Sequence, residues 1–149
     1  MTTFPSKAWF EAVGERVDED REHFRTLGYF DARVGVSIDA NGHGRRGYVL
    51  DFVNYGVRDV REVADPLAAA DFVIEGDAAA WTEMIRNIQK HNGADLAHTL
   101  NRLTMAGVPL RVAARDQLDI DVFYRFNQSL QAFFDEAAKV PTEFVSENA

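Results

Sequence analysis

Val108-Pro109-Leu110-Arg111-Val112-Ala113, followed after a polar break by Ile120 to Ala137, is the stretch on which the fold turns. The first run reads as a short strand, since apolar and β-branched residues dominate it and Gly107 leads it. The second reads as an aromatic amphipathic helix. At about 100° per residue, Ile120, Phe123, Phe126, Leu130, Phe134 and Ala137 share one stripe. Asp121, Arg125, Gln128, Asp135, Glu136 and Lys139 lie away from it, and Asn127 alone brings polarity to the apolar side. The stripe is either plain core, with Asn127 bonded to a nearby carbonyl, or one wall of an apolar cavity.

Upstream, Asp77 is placed to cap a helix whose Trp81, Met84, Ile85 and Ile88 form one face, ending at Asn92-Gly93. Asp95 is placed to cap the next, turning Leu96, Leu100 and Leu103 inward and stopping at Gly107. Phe72-Val73-Ile74 reads as a buried strand of the same sheet as Leu110 to Val112. Near the start, Ser6 caps a helix carrying Trp9, Phe10, Val13, Val17, Phe24 and Leu27, with Gly28 just beyond. The period then changes to two: Val34, Val36 and Ile38 alternate with Arg33, Gly35 and Ser37, and Tyr48, Leu50 and Phe52 follow in a second run. Asn54 to Pro66 reads as a further short strand and turn. The order predicts an α+β fold, a mostly antiparallel sheet covered by helices, with a long aromatic C-terminal helix. A single domain over residues 1–149 is expected, its ordered core spanning residues 6–139 and residues 140–149 forming a mobile acidic tail.

A chain of 149 residues with 46% hydrophobic content can bury a core of its own. It has no cysteine, hence no disulfide and no thiolate chemistry, and nothing at its N-terminus resembles a signal peptide. A cytoplasmic setting is expected. The apolar runs fall far short of the roughly 20 residues that span a bilayer, so stable membrane insertion is not expected. A net charge of −8, with no basic stripe read to override it, is expected to repel phosphate backbones and anionic lipid surfaces alike, which argues against nucleic acid as a partner.

Gly42-His43-Gly44-Arg45-Arg46-Gly47 spells the dinucleotide-binding pattern, but a strand follows it where the chemistry needs a helix N-terminus. It reads as a hairpin turn, with Arg45 and Arg46 making a small basic spot. His23, His43, His91 and His98 lack metal-ligand spacing, and none of Ser6, Ser37, Ser129 and Ser146 sits in a nucleophile elbow. No metal, cofactor or catalytic residue is assigned. Asp119 and Asp121 flank the start of the aromatic helix and read as caps.

Ala70-Asp71-Phe72-Val73-Ile74-Glu75-Gly76-Asp77 followed by Trp81, then Gly107-Val108-Pro109-Leu110-Arg111-Val112 and a closing amphipathic helix, resembles the sterol carrier protein type-2, or non-specific lipid-transfer, domain family. The resemblance spans Trp9 to Ala138; Asn87 to Leu103 is longer, and the closing helix more aromatic, than is typical. It implies an internal hydrophobic tunnel for a fatty acyl, sterol or similar apolar ligand, lined by Trp81, Met84, Ile85, Ile88, Leu103, Phe123, Phe126, Leu130 and Phe134. Tyr124 and Asn127 would orient the ligand's head. The rival is a small cofactor-free enzyme similar to steroid isomerases or polyketide cyclases, with Asp51 or Asp119 as base in an apolar pocket. A third reading makes the aromatic helix a homodimer or partner surface.

Overall fold

The computed structural model describes residues 1–40 and 44–144. After a short strand β1 (Thr2–Phe4), the Ser6 hydroxyl accepts a hydrogen bond from the Trp9 amide at 3.0 Å and starts α1 (Lys7–Glu19). One helix was expected as far as Leu27. At Asp20 (φ −110°, ψ 35°) the axis breaks, and α2 (Arg21–Leu27) continues to Gly28, whose φ of 102° suits glycine.

The chain then builds a five-stranded sheet from β2 (Ala32–Asp39), β3 (Arg45–Val53), β4 (Gly56–Val63), β5 (Phe72–Asp77) and β6 (Arg111–Ala113). Their spatial order is β4-β3-β2-β5-β6. β2 runs parallel to β5, and the other pairs are antiparallel. Ile74 pairs with Val112, so the two apolar runs do share a sheet. Val34, Val36, Ile38, Tyr48, Leu50, Phe52, Phe72 and Ile74 face the helices and are buried in one core. The opposite face is not simply wet. A side chain at Gly47 would collide with Pro66 and one at Gly35 with Val73, so their absence lets the short helix α3 (Pro66–Ala69) settle there over Val49, Ala70 and Val73.

Asp77 Oδ1 accepts from Ala80 N at 2.8 Å and opens α4 (Ala78–His91), which buries Trp81, Met84, Ile85 and Ile88 and ends at left-handed Asn92. The next helix departs from expectation. α5 (Leu100–Thr104) is capped by Thr99 and buries Leu100 and Leu103, but Leu96 lies before it and is 90% exposed. Asp95 is occupied instead with the Asn87 amide at 2.8 Å and the His98 ring at 2.7 Å.

The long closing helix is two helices, α6 (Gln117–Arg125) and α7 (Asn127–Asp135), followed by a 3-10 turn (Glu136–Lys139). Asp116, rather than Asp119 or Asp121, caps α6, accepting from Leu118 N at 2.8 Å. The break falls at Phe126 (φ −111°, ψ 18°), where the Asn127 amide donates to the Tyr124 carbonyl at 3.3 Å, a local bond that competes with the helical ladder. The wheel resets there, so Phe133 joins Phe134 in the core while Phe126 is only half-buried.

The ordered chain extends past Lys139. β7 (Thr142–Phe144) pairs in parallel with β1, Thr2 opposite Thr142 and Phe4 opposite Phe144. Trp9 Nε1 and Gln89 Nε2 each donate to Thr142 Oγ1 at 3.0 Å, and buried Val140 seals the approach. The tail was expected to be mobile from 140; residues 145–149 lie outside the described part. No helix among the described residues is long and apolar enough to cross a membrane.

Candidate functional site

Trp81, Met84, Ile85, Ile88, Leu103, Phe123, Leu130 and Phe134 come together in the one core between sheet and helices, with Phe126 packed against its edge. Rings link the walls. Trp81 lies 5.6 Å from Phe134, Phe123 lies 5.7 Å from Phe72 on β5, and Trp81 Nε1 donates to the Ser37 carbonyl at 3.2 Å. These side chains are almost completely buried and in mutual contact, as a close-packed interior requires.

The two polar residues read as orienting a ligand's head stand outside that cluster. Tyr124 is 44% exposed with its ring edge against Phe123, and half-buried Asn127 lines an open surface groove. That groove, about 570 Å³, runs between α2, α7 and the 3-10 turn, past Asp20, His23, Gln131, Asp135, Glu136 and Lys139. Its lining is mostly polar and suits no apolar ligand. Glu136 is buried at its base; burial pushes its carboxyl above the usual range, against the pull of Lys139 Nζ at 2.9 Å and aided by the Asp20 carboxyl.

An apolar opening lies on the neighbouring side of α7. Val17, Phe24, Phe30, Phe52 and Tyr55 form a cleft between α1, α2 and the β3–β4 turn, with Asn54 and Ser129 at its polar margin. It holds about 10 Å³, room for roughly one water. Behind it an aromatic chain leads inward: Phe30 to Phe52 at 5.1 Å, Phe52 to Phe133 at 5.4 Å, and Phe133 to Phe134 at 5.2 Å. The cleft therefore opens on the same aromatic core that contains Phe134 and Trp81. Sequence periodicity identified the wall of this core but missed its mouth. Phe24 and Phe52 were visible as apolar positions, whereas Phe30 and Phe133 were hidden by the turn after Gly28 and by the break at Phe126.

One further polar group is buried in this core. The Tyr48 hydroxyl has no hydrogen-bond partner among the described residues, its ring lies 4.9 Å from Phe10, and burial pushes its ionisation up to about 12 although Arg46 pulls the other way.

Neither carboxylate of the rival enzyme reading belongs to this core cluster. Asp51 lies on the sheet face away from it, 3.5 Å from Arg58, and Asp119 sits in the first turn of α6. Arg45 and Arg46 are not a free basic spot, since they pair with Glu75 at 4.0 Å and Glu62 at 3.0 Å. Gly44 leads directly into β3, which leaves no helix N-terminus for a phosphate; Asn41 to His43 lie outside the described residues.

Solved structures match this architecture almost end to end. The crystal structure of a sterol carrier protein 2 covers 91% of this chain and 98% of its own, with a TM-score of 0.69 at 19% identity. The solution structure of a conserved hypothetical protein from Thermus thermophilus, with a suggested sterol carrier identity, covers 93% and 90%, with a TM-score of 0.66 at 18% identity. No protein-family model and no curated protein sequence matches the chain. The chain has the sterol carrier protein 2 fold.

Proposed function

We propose that this protein binds and carries a small apolar molecule, a fatty acyl chain, sterol or similar lipid, held between the sheet and the helices. The observation that carries the reading is the apolar cleft at Phe24, Phe30 and Phe52, which opens onto a continuous aromatic core in a domain with the fold of sterol carrier protein 2. Binding would draw on apolar burial at about 25 cal/mol per Å², with a few polar groups setting orientation. Ser129 and Asn54 at the cleft margin, and Tyr48 inside, are better placed for that than Tyr124 and Asn127. A ligand of ordinary size needs several hundred Å³, so it would enter by parting α2 and α7 from the β3–β4 turn rather than by filling a standing tunnel. Absence of cysteine supports a cytoplasmic carrier.

Native mass spectrometry of protein purified from its host, together with titration of a fluorescent acyl or sterol probe, tests the reading. Ser129→Leu, which narrows the cleft, should weaken probe binding at least severalfold, while Asp51→Asn should leave it unchanged. A wild-type protein that binds neither probe and carries no lipid would overturn it.

A further inference from the structure

The acidic residues of this chain avoid one segment. Leu96 to Arg115 contains none, the longest such run in a sequence with 24 of them, and it carries Arg102, Arg111 and Arg115. The same segment displays apolar side chains that the fold leaves uncovered: Leu96, Met105 at 65% and Val108 at 72% exposure. Between α5 and β6 the turn Met105-Ala106-Gly107-Val108-Pro109 has no polar side chain at all, and Leu110 after it is anchored in the core. Arg111 pairs with Glu75 at 2.9 Å, whereas the side chains of Arg102 and Arg115 make no ion pair among the described residues.

We infer that the turn Met105–Pro109, flanked by Arg102, Arg111 and Arg115, is the surface by which this protein docks on a lipid bilayer bearing anionic headgroups. Apolar side chains at a tip can sink roughly 5–10 Å into the boundary between headgroups and acyl chains, where arginines reach phosphates. Charge selects the orientation. A molecule of net charge −8 is repelled by an anionic surface on most approaches, and this acid-free segment offers it a cationic one. Size argues against a protein partner, because a five-residue tip covers far less than the roughly 800 Å² per side of a stable interface. The inference gives the carrier reading a donor and acceptor surface and rests on it for purpose, but its test does not depend on ligand binding.

Full-length protein is sedimented with vesicles of phosphatidylcholine alone and of equal parts phosphatidylcholine and phosphatidylserine, at low and high salt. Binding to the mixed vesicles is expected, weakened by salt. Met105→Asp with Val108→Asp should abolish it, and Arg102→Gln with Arg115→Gln should lower affinity for mixed vesicles by roughly fivefold per arginine. All four positions are exposed, so thermal midpoints should hold and probe affinity should stay at the wild-type value. Wild-type protein that fails to sediment with mixed vesicles, or variants that bind as well as wild type, would overturn the inference. So would a concentration-dependent dimer abolished by Val108→Asp, which would give the tip to a second copy. Vesicle binding without probe binding would remove the carrier reading and leave the docking surface standing.

Discussion

Phe126 lies against Phe30, ring centroids 4.8 Å apart and planes inclined by 34°, so the break between α6 and α7 is tied to the residue that leads into β2. The contact makes Phe126 a lid on the aromatic core rather than a member of it. Phe134, eight positions on, is buried at its centre.

Truncating the two should separate lid from core. Phe134→Ala is expected to cost about 3–5 kcal/mol, as for a fully buried ring, and Phe126→Ala about 1–2 kcal/mol. Affinity for an apolar probe should move more with Phe126, which lies beside the mouth. Equal losses in denaturant midpoint would show that Phe126 is ordinary core.

Tyr48→Phe should stabilise the protein by about 1 kcal/mol, because it removes a buried hydroxyl that has no partner while keeping the ring against Phe10. A loss of stability on the same substitution would mean that the hydroxyl is bonded in solution. Its raised ionisation carries a sign of its own: the unfolded chain releases this proton near 10 and the folded one only at about 12, so stability should fall as pH rises between them.

Glu136 sets a pH dependence above its ordinary value of 4.5. Its folded carboxyl binds a proton more tightly than the ordinary value of 4.5, so its contribution to stability increases as pH falls through the raised value and levels off below 4.5. Lys139→Met leaves the buried carboxylate without its cation and should cost about 1–3 kcal/mol at neutral pH, with the loss shrinking as pH falls towards 4.5. Adding Glu136→Gln should erase the pH dependence. A loss in Lys139→Met that is the same at both pH values would refute this.

Asp95 works in the opposite sense. The His98 ring and the Asn87 amide hold its carboxyl at about 2, against an ordinary 3.8. The stability it confers is complete above 3.8 and is lost as pH falls towards 2. Thermal melts of Asp95→Asn should therefore lie below wild type at pH 6 (about two units above the ordinary value) and converge with it in strong acid. Parallel curves would remove the role.

Much of this architecture was legible in local pattern. The caps at Ser6 and Asp77, the strand at Phe72 and the left-handed stop at Asn92 all follow from short-range rules, and the structure places them as expected. What local pattern could not carry was set by distant contacts. The kink at Asp20 and the break at Phe126 leave helical apolar spacing within each flanking segment, so neither shows on a wheel drawn over the whole run, although the register changes after Phe126. Three-residue strands such as β1 and β7 have no periodicity to read and exist because they pair with each other. For the candidate site, the composition of the aromatic stripe was visible, but the register after Phe126, which turns Phe133 into the core and leaves Asn127 at the surface groove, was not.

The pairing of β1 with β7 also orders events in time. Two parallel strands at either end of the described chain gain nothing from each other until everything between them has folded, because closing so large a loop in an unstructured polymer is slow and unrewarded. The five-stranded sheet and α4 must come first, presenting Trp9 and Gln89 as the seats for Thr142. The latch is thus expected to form last on folding and, by the same reasoning, to let go first under heat or protease, taking Phe144 out of the core while the packing around Trp81 and Phe134 holds.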